Sequence, residues 1–95
     1  MNNLYPNEIP KGPWETISID LIGPLLESAG YDGILVIVDC FSKMAHYAPI
    51  NMNITTQGVA KVSWDQVFKD VGIPQKVISD RGPQFVSRFM KELCS

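Results

Sequence analysis

Two aspartates follow apolar residues of predicted strands, and both could take part in metal chemistry. Asp20 lies between Ile19 and Leu21, and Asp80 ends the apolar segment at residues 76–79. If these strands lie side by side and parallel, their backbones are ~4.8 Å apart and the carboxylates can meet. Two ionised carboxylates that close repel, which a raised pKa or a bound cation relieves. Oxygen ligands without nearby Cys or His favour Mg²⁺ or Mn²⁺ over zinc.

The same aspartates have a plainer interpretation. Asp20 could cap a turn, and Asp80 could cap the helix that follows it. On the pattern alone the capping role is favoured for Asp80, because a distant pair of acids is weak evidence for a shared site. Both alternatives therefore stay open at the level of residue pattern.

The strands that would position these residues are predicted from their hydrophobic periods. Apolar and polar residues alternate over 17–22 and end at Gly23-Pro24, which predicts a strand. The continuous apolar run 34–38 is typical of a central strand. A third strand is predicted over 44–50, and Pro49 favours an edge position for it. These three strands are expected to form an antiparallel meander.

After the third strand the period changes to that of a helix. Thr55 or Thr56 can cap it, and Gly72 and Pro74 end it. Residues 76–79 predict a fourth strand, reached by a right-handed crossover. A last helix begins at Pro83. The apolar positions of the two helices are Val59, Ala60, Trp64, Val67, Phe68 and Val71 in the first, and Phe85, Phe89 and Leu93 in the second.

Length and composition bound the class of protein. Ninety-five residues with a net charge of −2 allow one small domain, expected over 14–95 after an extended arm or linker at 1–13. No apolar run is long enough for a membrane span, and no secretory signal is evident, so a soluble intracellular protein is expected. The charge is uneven: four lysines face eight acids in residues 1–75, whereas residues 76–95 carry four cations and two acids. A polyanion would approach the C-terminal part.

Three blocks of the sequence resemble one known family. "PWETISIDLIGPL", "YDGILVIVDCFSKMAHYAPI" and "GIPQKVISDRGPQFVSRFMKELC" closely resemble the integrase core of gypsy-type long-terminal-repeat retrotransposons, a retroviral-integrase-like family. The resemblance covers roughly residues 13–95, and the last block is the most specific. It implies a partial ribonuclease-H-like α/β fold: a three-stranded antiparallel meander, a parallel fourth strand and helices, without the fifth strand and last helices.

The resemblance also implies a chemistry. Such enzymes are polynucleotidyl transferases that hold two divalent ions, Mg²⁺ or Mn²⁺, with two Asp and one Glu. Asp20 matches the first Asp and Asp80 the second. Water attack trims the element's DNA ends, and attack by a 3′-hydroxyl joins them to target DNA. DNA as the partner and the nucleus as the place of integration follow from the same resemblance.

The sequence departs from the family at the third carboxylate. The family's Glu lies on a helix beyond the last residue here, and Glu92 comes too early to take its role. We therefore expect weak or absent metal binding and an inactive fragment. The alternative to an integrase fragment is a non-catalytic remnant that serves as a protein- or DNA-interaction module. An unpaired strand edge favours a homodimer or larger assembly. A ribonuclease-H-type nuclease is a third interpretation.

Several polar residues are candidates for contacts with nucleic acid. Arg81 is the best phosphate ligand, with a turn-stabilising role as its alternative. Arg88 and Lys91 could form a basic stripe or a solvated helix face. The remaining candidates are Gln84, which could cap the helix instead, and Lys43, for which an exposed position in a turn is the favoured interpretation. Among other residues, Asp39 is expected to orient the turn at residues 42–43, His46 to pack or lie at the surface, Trp64 to be core or interface, and Cys40 to be a buried thiol.

Overall fold

The computed structural model describes residues 12–94, so most of the predicted arm at 1–13 lies outside the described residues. The elements follow the predicted order β-β-β-α-β-α. They are β1 (Thr16–Ile22), β2 (Gly33–Asp39), β3 (Ala45–Ile50), α1 (Thr56–Ser63), a π-helical turn (Trp64–Phe68), α2 (Lys69–Val71), β4 (Lys76–Ile78) and α3 (Pro83–Cys94). The mixed α/β class and the ribonuclease-H-like arrangement are thereby confirmed.

The four strands form one sheet in the order β3-β2-β1-β4. The first three are antiparallel neighbours, and β4 is parallel to β1. The edge position predicted from Pro49 is confirmed, because β3 is an outer strand. The other outer strand, β4, pairs through only three residues, with Ser18 level with Ile78. The parallel pair is therefore the shortest pairing in the sheet.

The hydrophobic core lies on one face of the sheet. Ile17 and Ile19 of β1 are fully buried there, beneath side chains of α1, the π-helical turn and α3. Because side chains alternate along a strand, Ser18 and Asp20 point to the opposite face. The core comprises Ile17, Ile19, Leu35, Ile37, Ala48, Ile50, Val59, Ala60, Val67, Phe68, Val77, Phe89 and Leu93. Within residues 12–94 the helices therefore cover one face and leave the Asp20 face open.

The helix after β3 begins as predicted and then departs from a regular α-helix. The Thr55 hydroxyl accepts the Gly58 N–H at 3.0 Å, which confirms the cap. The π-helical turn was not predicted; it places the consecutive Val67 and Phe68 in the core. Trp64 remains 41% exposed, so its predicted core position is wrong and its interface role stays a prediction. No helix among residues 12–94 is both long and apolar enough to cross a membrane.

Candidate active site

The two candidate aspartates lie together at the junction of β1 and β4. In the parallel pairing Ser18 is level with Ile78, and two residues further along each chain stand Asp20 and Asp80. The chain leaves β4 after Ile78 and turns at residues 80–81 before α3 begins at Pro83. The side chain of Asp80 interacts directly with that of Asp20. The structure therefore brings together the two residues that the sequence placed on separate strands.

The environment of Asp20 disfavours its charged form. Its Oδ1 is buried and has no hydrogen-bond partner within the described part of the chain. Burial, followed by the hydrogen bond and charge of the neighbouring Asp80 carboxyl group, raises the pKa of Asp20. The Asp80 backbone N–H and the Arg81 guanidinium oppose this shift but do not cancel it. Asp20 therefore accepts a backbone N–H from the turn at residues 80–81 and also lies beside a second carboxyl group.

This pair fits part of a site for a hard divalent cation. An unpartnered carboxylate oxygen facing a second carboxyl group is the donor arrangement that Mg²⁺ and Mn²⁺ take. Among residues 12–94 no group of three or more His, Cys, Asp or Glu side chains is placed to hold a metal ion. Glu92 lines a separate groove with Trp64 and Ile73, consistent with its exclusion as a ligand. The described residues thus bring two candidate ligands together.

A basic groove lies beside the acidic pair. Its volume is about 610 Å³, and Arg81 belongs to it as well as to the surroundings of Asp20. The Arg81 guanidinium carbon lies 5.9 Å from the centre of the Phe85 ring, which orients the side chain along α3. The groove is lined by Thr56, Arg81, Gln84, Phe85, Ser87, Arg88 and Lys91. Four of the five residues predicted to contact nucleic acid therefore share one surface.

Three groove residues were missed by the sequence interpretation; one of them, Phe85, was assigned to the core and packs against it while also lining the groove. Ser87 lies three residues after Gln84 and four before Lys91, so helical spacing could have identified it. Thr56 belongs to α1, a different element, and only the packing of α1 against α3 brings it to the groove. No local pattern signals that contact.

Lys43 lies away from this groove. It is exposed in the turn between β2 and β3, with a left-handed φ of 67°. That turn follows Asp39, which is paired with Ile17, three residues before Asp20 on β1. The turn is therefore at the opposite end of β1 from the acidic pair. A contact between Lys43 and nucleic acid stays a prediction and belongs to a different surface.

Asp39 has a structural role that is larger than predicted. Its side chain is fully buried, and its Oδ1 accepts the backbone N–H groups of Trp14 at 2.9 Å and Phe41 at 3.1 Å. Its Oδ2 accepts the Ser42 hydroxyl at 2.8 Å and the Ser42 N–H at 3.4 Å. Burial alone would raise the pKa of Asp39, but these donors outweigh it and lower the pKa. The predicted role of Asp39 in orienting the turn at residues 42–43 is confirmed. Its hydrogen bond to the Trp14 N–H was not predicted.

Two neighbouring residues agree with their plainer interpretations. His46 packs against Trp14, with ring centres 5.3 Å apart in an edge-to-face arrangement. Cys40 is half-buried, and burial raises the pKa of its thiol. A thiol with a raised pKa is less reactive than an exposed one.

Fold and site together define a class of protein. A mixed sheet with paired carboxylates at its parallel junction has the architecture of a partial ribonuclease-H-like integrase core. The family model for the integrase core domain matches residues 10–95, and the chain belongs to that family. The sequence is 37% identical over 89 residues to the transposon Tf2-3 and Tf2-4 polyproteins of the fission yeast Schizosaccharomyces pombe. The match covers 94% of this chain and 7% of each polyprotein.

Proposed function

We propose that this chain is part of a DNA-integrating polynucleotidyl transferase, with Asp20 and Asp80 as ligands of Mg²⁺ or Mn²⁺. The buried, unpartnered Oδ1 of Asp20 beside the Asp80 carboxyl group is the observation that carries the proposal. A buried carboxylate oxygen without a hydrogen-bond partner lowers the stability of a folded protein unless a cation binds to it. Membership of the integrase core family supports the reaction class.

The chain's own residues would act by positioning and by charge. When bound, the divalent ions of this family activate a water or a 3′-hydroxyl and stabilise the leaving oxygen of an in-line displacement. Asp20 and Asp80 would hold the ions beside the junction of β1 and β4. Arg81, Arg88 and Lys91 neutralise phosphates of the DNA that lies along the groove. Gln84 contacts DNA from the same groove, and Lys43 contacts it from a separate surface.

The described site is incomplete for catalysis. Two carboxylates leave a divalent ion with most of its coordination sphere in water, which weakens binding and loosens geometry. We therefore propose that the 95-residue chain binds Mn²⁺ weakly and does not catalyse strand transfer by itself. Integration of element DNA in a nucleus is proposed for the longer protein in which this core resides.

A titration with Mn²⁺ tests the metal site. Paramagnetic broadening of the nuclear magnetic resonance signals of Asp20 and Asp80 should appear at millimolar Mn²⁺ before other carboxylates respond. Asp20→Asn should abolish the selective effect. Asp32→Asn is the matched control, because Asp32 is also half-buried and accepts the Met52 N–H at 2.8 Å, far along the chain from β4. Equal broadening of all acidic residues would contradict the proposal.

A DNA assay tests the reaction class. The integrase core extended within its own reading frame, with element-end DNA and Mg²⁺, should join the DNA 3′-end to a target strand. Cleavage of RNA–DNA hybrids without joining would indicate a ribonuclease-H-type nuclease instead. Asp80→Asn in the extended protein should abolish joining, while Asp32→Asn should retain it.

A non-catalytic interaction module is the second candidate, and the open sheet face favours it. On this face Val36 and Ile34 are half-buried and Tyr47 is 66% exposed. Apolar surface of this kind commonly binds a partner. The candidate predicts a homodimer or larger species by light scattering, dispersed by Tyr47→Lys but not by Lys69→Glu on α2. A monomer at every concentration would exclude self-association.

A further inference from the structure

Asp39 links two segments that are distant in sequence, the residues before β1 and the turn after β2. Its Oδ1 accepts the Trp14 N–H just before β1, across 25 residues of chain. Both of its oxygens also hold the turn after β2, through Phe41 and Ser42. A buried carboxylate that accepts four hydrogen bonds is fixed in one position by those bonds. Asp39 therefore fixes where the chain enters β1.

The entry to β1 is also where β1 meets β4. The carbonyl of Glu15, directly after Trp14, accepts the N–H groups of Gln75 at 2.9 Å and Lys76 at 3.1 Å. Trp14 has a left-handed φ of 65°, an uncommon conformation for a large side chain. Such a conformation persists only where neighbouring contacts determine it. The bond from Trp14 to Asp39 is one such contact.

The position of Asp80 depends on this junction. Only Thr16–Ser18 and Lys76–Ile78 are paired between β1 and β4, and Asp80 lies two residues beyond the last pair. Because the ladder between β1 and β4 is short, a small shift of the backbone at Glu15 and Gln75 moves Asp80 relative to Asp20. Asp39 is the last residue of β2 and is paired with Ile17 of β1.

We propose that Asp39 is a positioning residue for the Asp20–Asp80 pair, acting through the Trp14 amide and the Glu15 carbonyl on the register of β4. The part of this inference that concerns metal affinity rests on the proposed function; the part that concerns β4 does not. Asp39 touches neither carboxylate and is not a ligand. Its effect on the site is transmitted through backbone hydrogen bonds.

Two variants separate this role from the known support of the turn. Asp39→Asn keeps the shape of the side chain but replaces the charged acceptor of the Trp14 N–H by a neutral amide oxygen, which weakens that bond. Ser42→Ala removes the hydroxyl bond to Asp39 at 2.8 Å and leaves the Trp14 bond in place. Both variants should lower the melting temperature. Amide hydrogen exchange at Gln75 and Lys76 should accelerate in Asp39→Asn only, relative to the central amides of β2.

Metal affinity provides the second measurement. The Mn²⁺ midpoint should rise in Asp39→Asn, by less than the roughly 10- to 100-fold effect of losing a residue bonded directly to a metal ligand, and should stay unchanged in Ser42→Ala. Equal exchange at Gln75 and Lys76 in the two variants would overturn the inference while leaving the metal site intact. If the wild-type chain shows no selective Mn²⁺ response but exchange still separates the variants, the proposed function fails and the positioning role stands.

Discussion

Asp20 faces Asp80 across the junction of β1 and β4, and its buried Oδ1 has no hydrogen-bond partner in the described chain. The nearby guanidinium of Arg81 compensates only part of this cost. The arrangement disfavours the charged form of Asp20, and the proposed cation would relieve that cost. Stability and metal binding should therefore respond in opposite directions when one carboxylate is removed.

Replacing Asp20 by Asn should stabilise the metal-free protein. The buried charge and its repulsion by Asp80 are removed, so the free energy of unfolding at pH 7 should rise by about 1 kcal/mol, within the range of such substitutions at functional sites. Urea denaturation in a chelating buffer measures this, with Asp32→Asn as the control for loss of one charge. A lower stability of Asp20→Asn would contradict the predicted cost of the pair.

The effect of Mg²⁺ on stability should depend on pH. Because the pKa of folded Asp20 is raised above the ordinary value of 3.8, its favourable contribution is present below that value and is lost as pH rises through the raised pKa. Mg²⁺ should therefore raise the melting temperature at pH 7 and have no effect at pH 3. Thermal denaturation with and without Mg²⁺ checks this, and Asp20→Asn should abolish the difference.

Asp39 should show the reverse dependence on pH. Its folded pKa is lowered from 3.8, so its contribution is present above 3.8 and is lost as pH falls through the lowered pKa. Asp39→Ala should lose about 3 kcal/mol at pH 7, because buried N–H donors lose a charged acceptor. The deficit measured by urea denaturation should shrink in acid. An equal deficit at every pH would show that packing, not charge, stabilises this residue.

The basic groove should give a salt-dependent response. Arg88→Ala and Lys91→Ala should each weaken binding of duplex DNA and reduce the slope of log K against log salt by about one. Fluorescence anisotropy over a salt series measures both quantities. Lys69→Ala is the control, since this exposed lysine on α2 is not among the groove residues. Equal losses in all three variants would indicate a diffuse charge effect rather than a defined groove.

Much of the fold was predictable because the local signals agree with the tertiary structure. Alternation over residues 17–22, the apolar run 34–38 and the cap at Thr55 each correspond to an observed element. The π-helical turn at Trp64–Phe68 was not predictable from a helical period. It depends on how the core accommodates neighbouring large side chains, which is decided by packing rather than by local sequence.

The site was predictable in part, and for different reasons at different residues. Asp20 and Asp80 were identified from strand position, and family resemblance favoured a shared site over capping. The contact of Asp39 with Trp14 was not predictable, because it joins residues 25 apart through a backbone N–H that every residue type except proline supplies. Thr56 likewise reaches the groove only through the packing of α1 on α3. Long-range contacts that involve backbone atoms leave no sequence signal.

Because the ladder between β1 and β4 is short, a bound cation would have a second effect. An ion shared by Asp20 and Asp80 would be a reversible cross-link beside the shortest pairing of the sheet, which has three residue pairs. By mass action, an ion bound at this site would also stabilise the pairing of β4 with β1, and loss of that pairing would release the ion. Pairing of the outer strand β4 and occupancy of the proposed metal site are therefore coupled in one equilibrium.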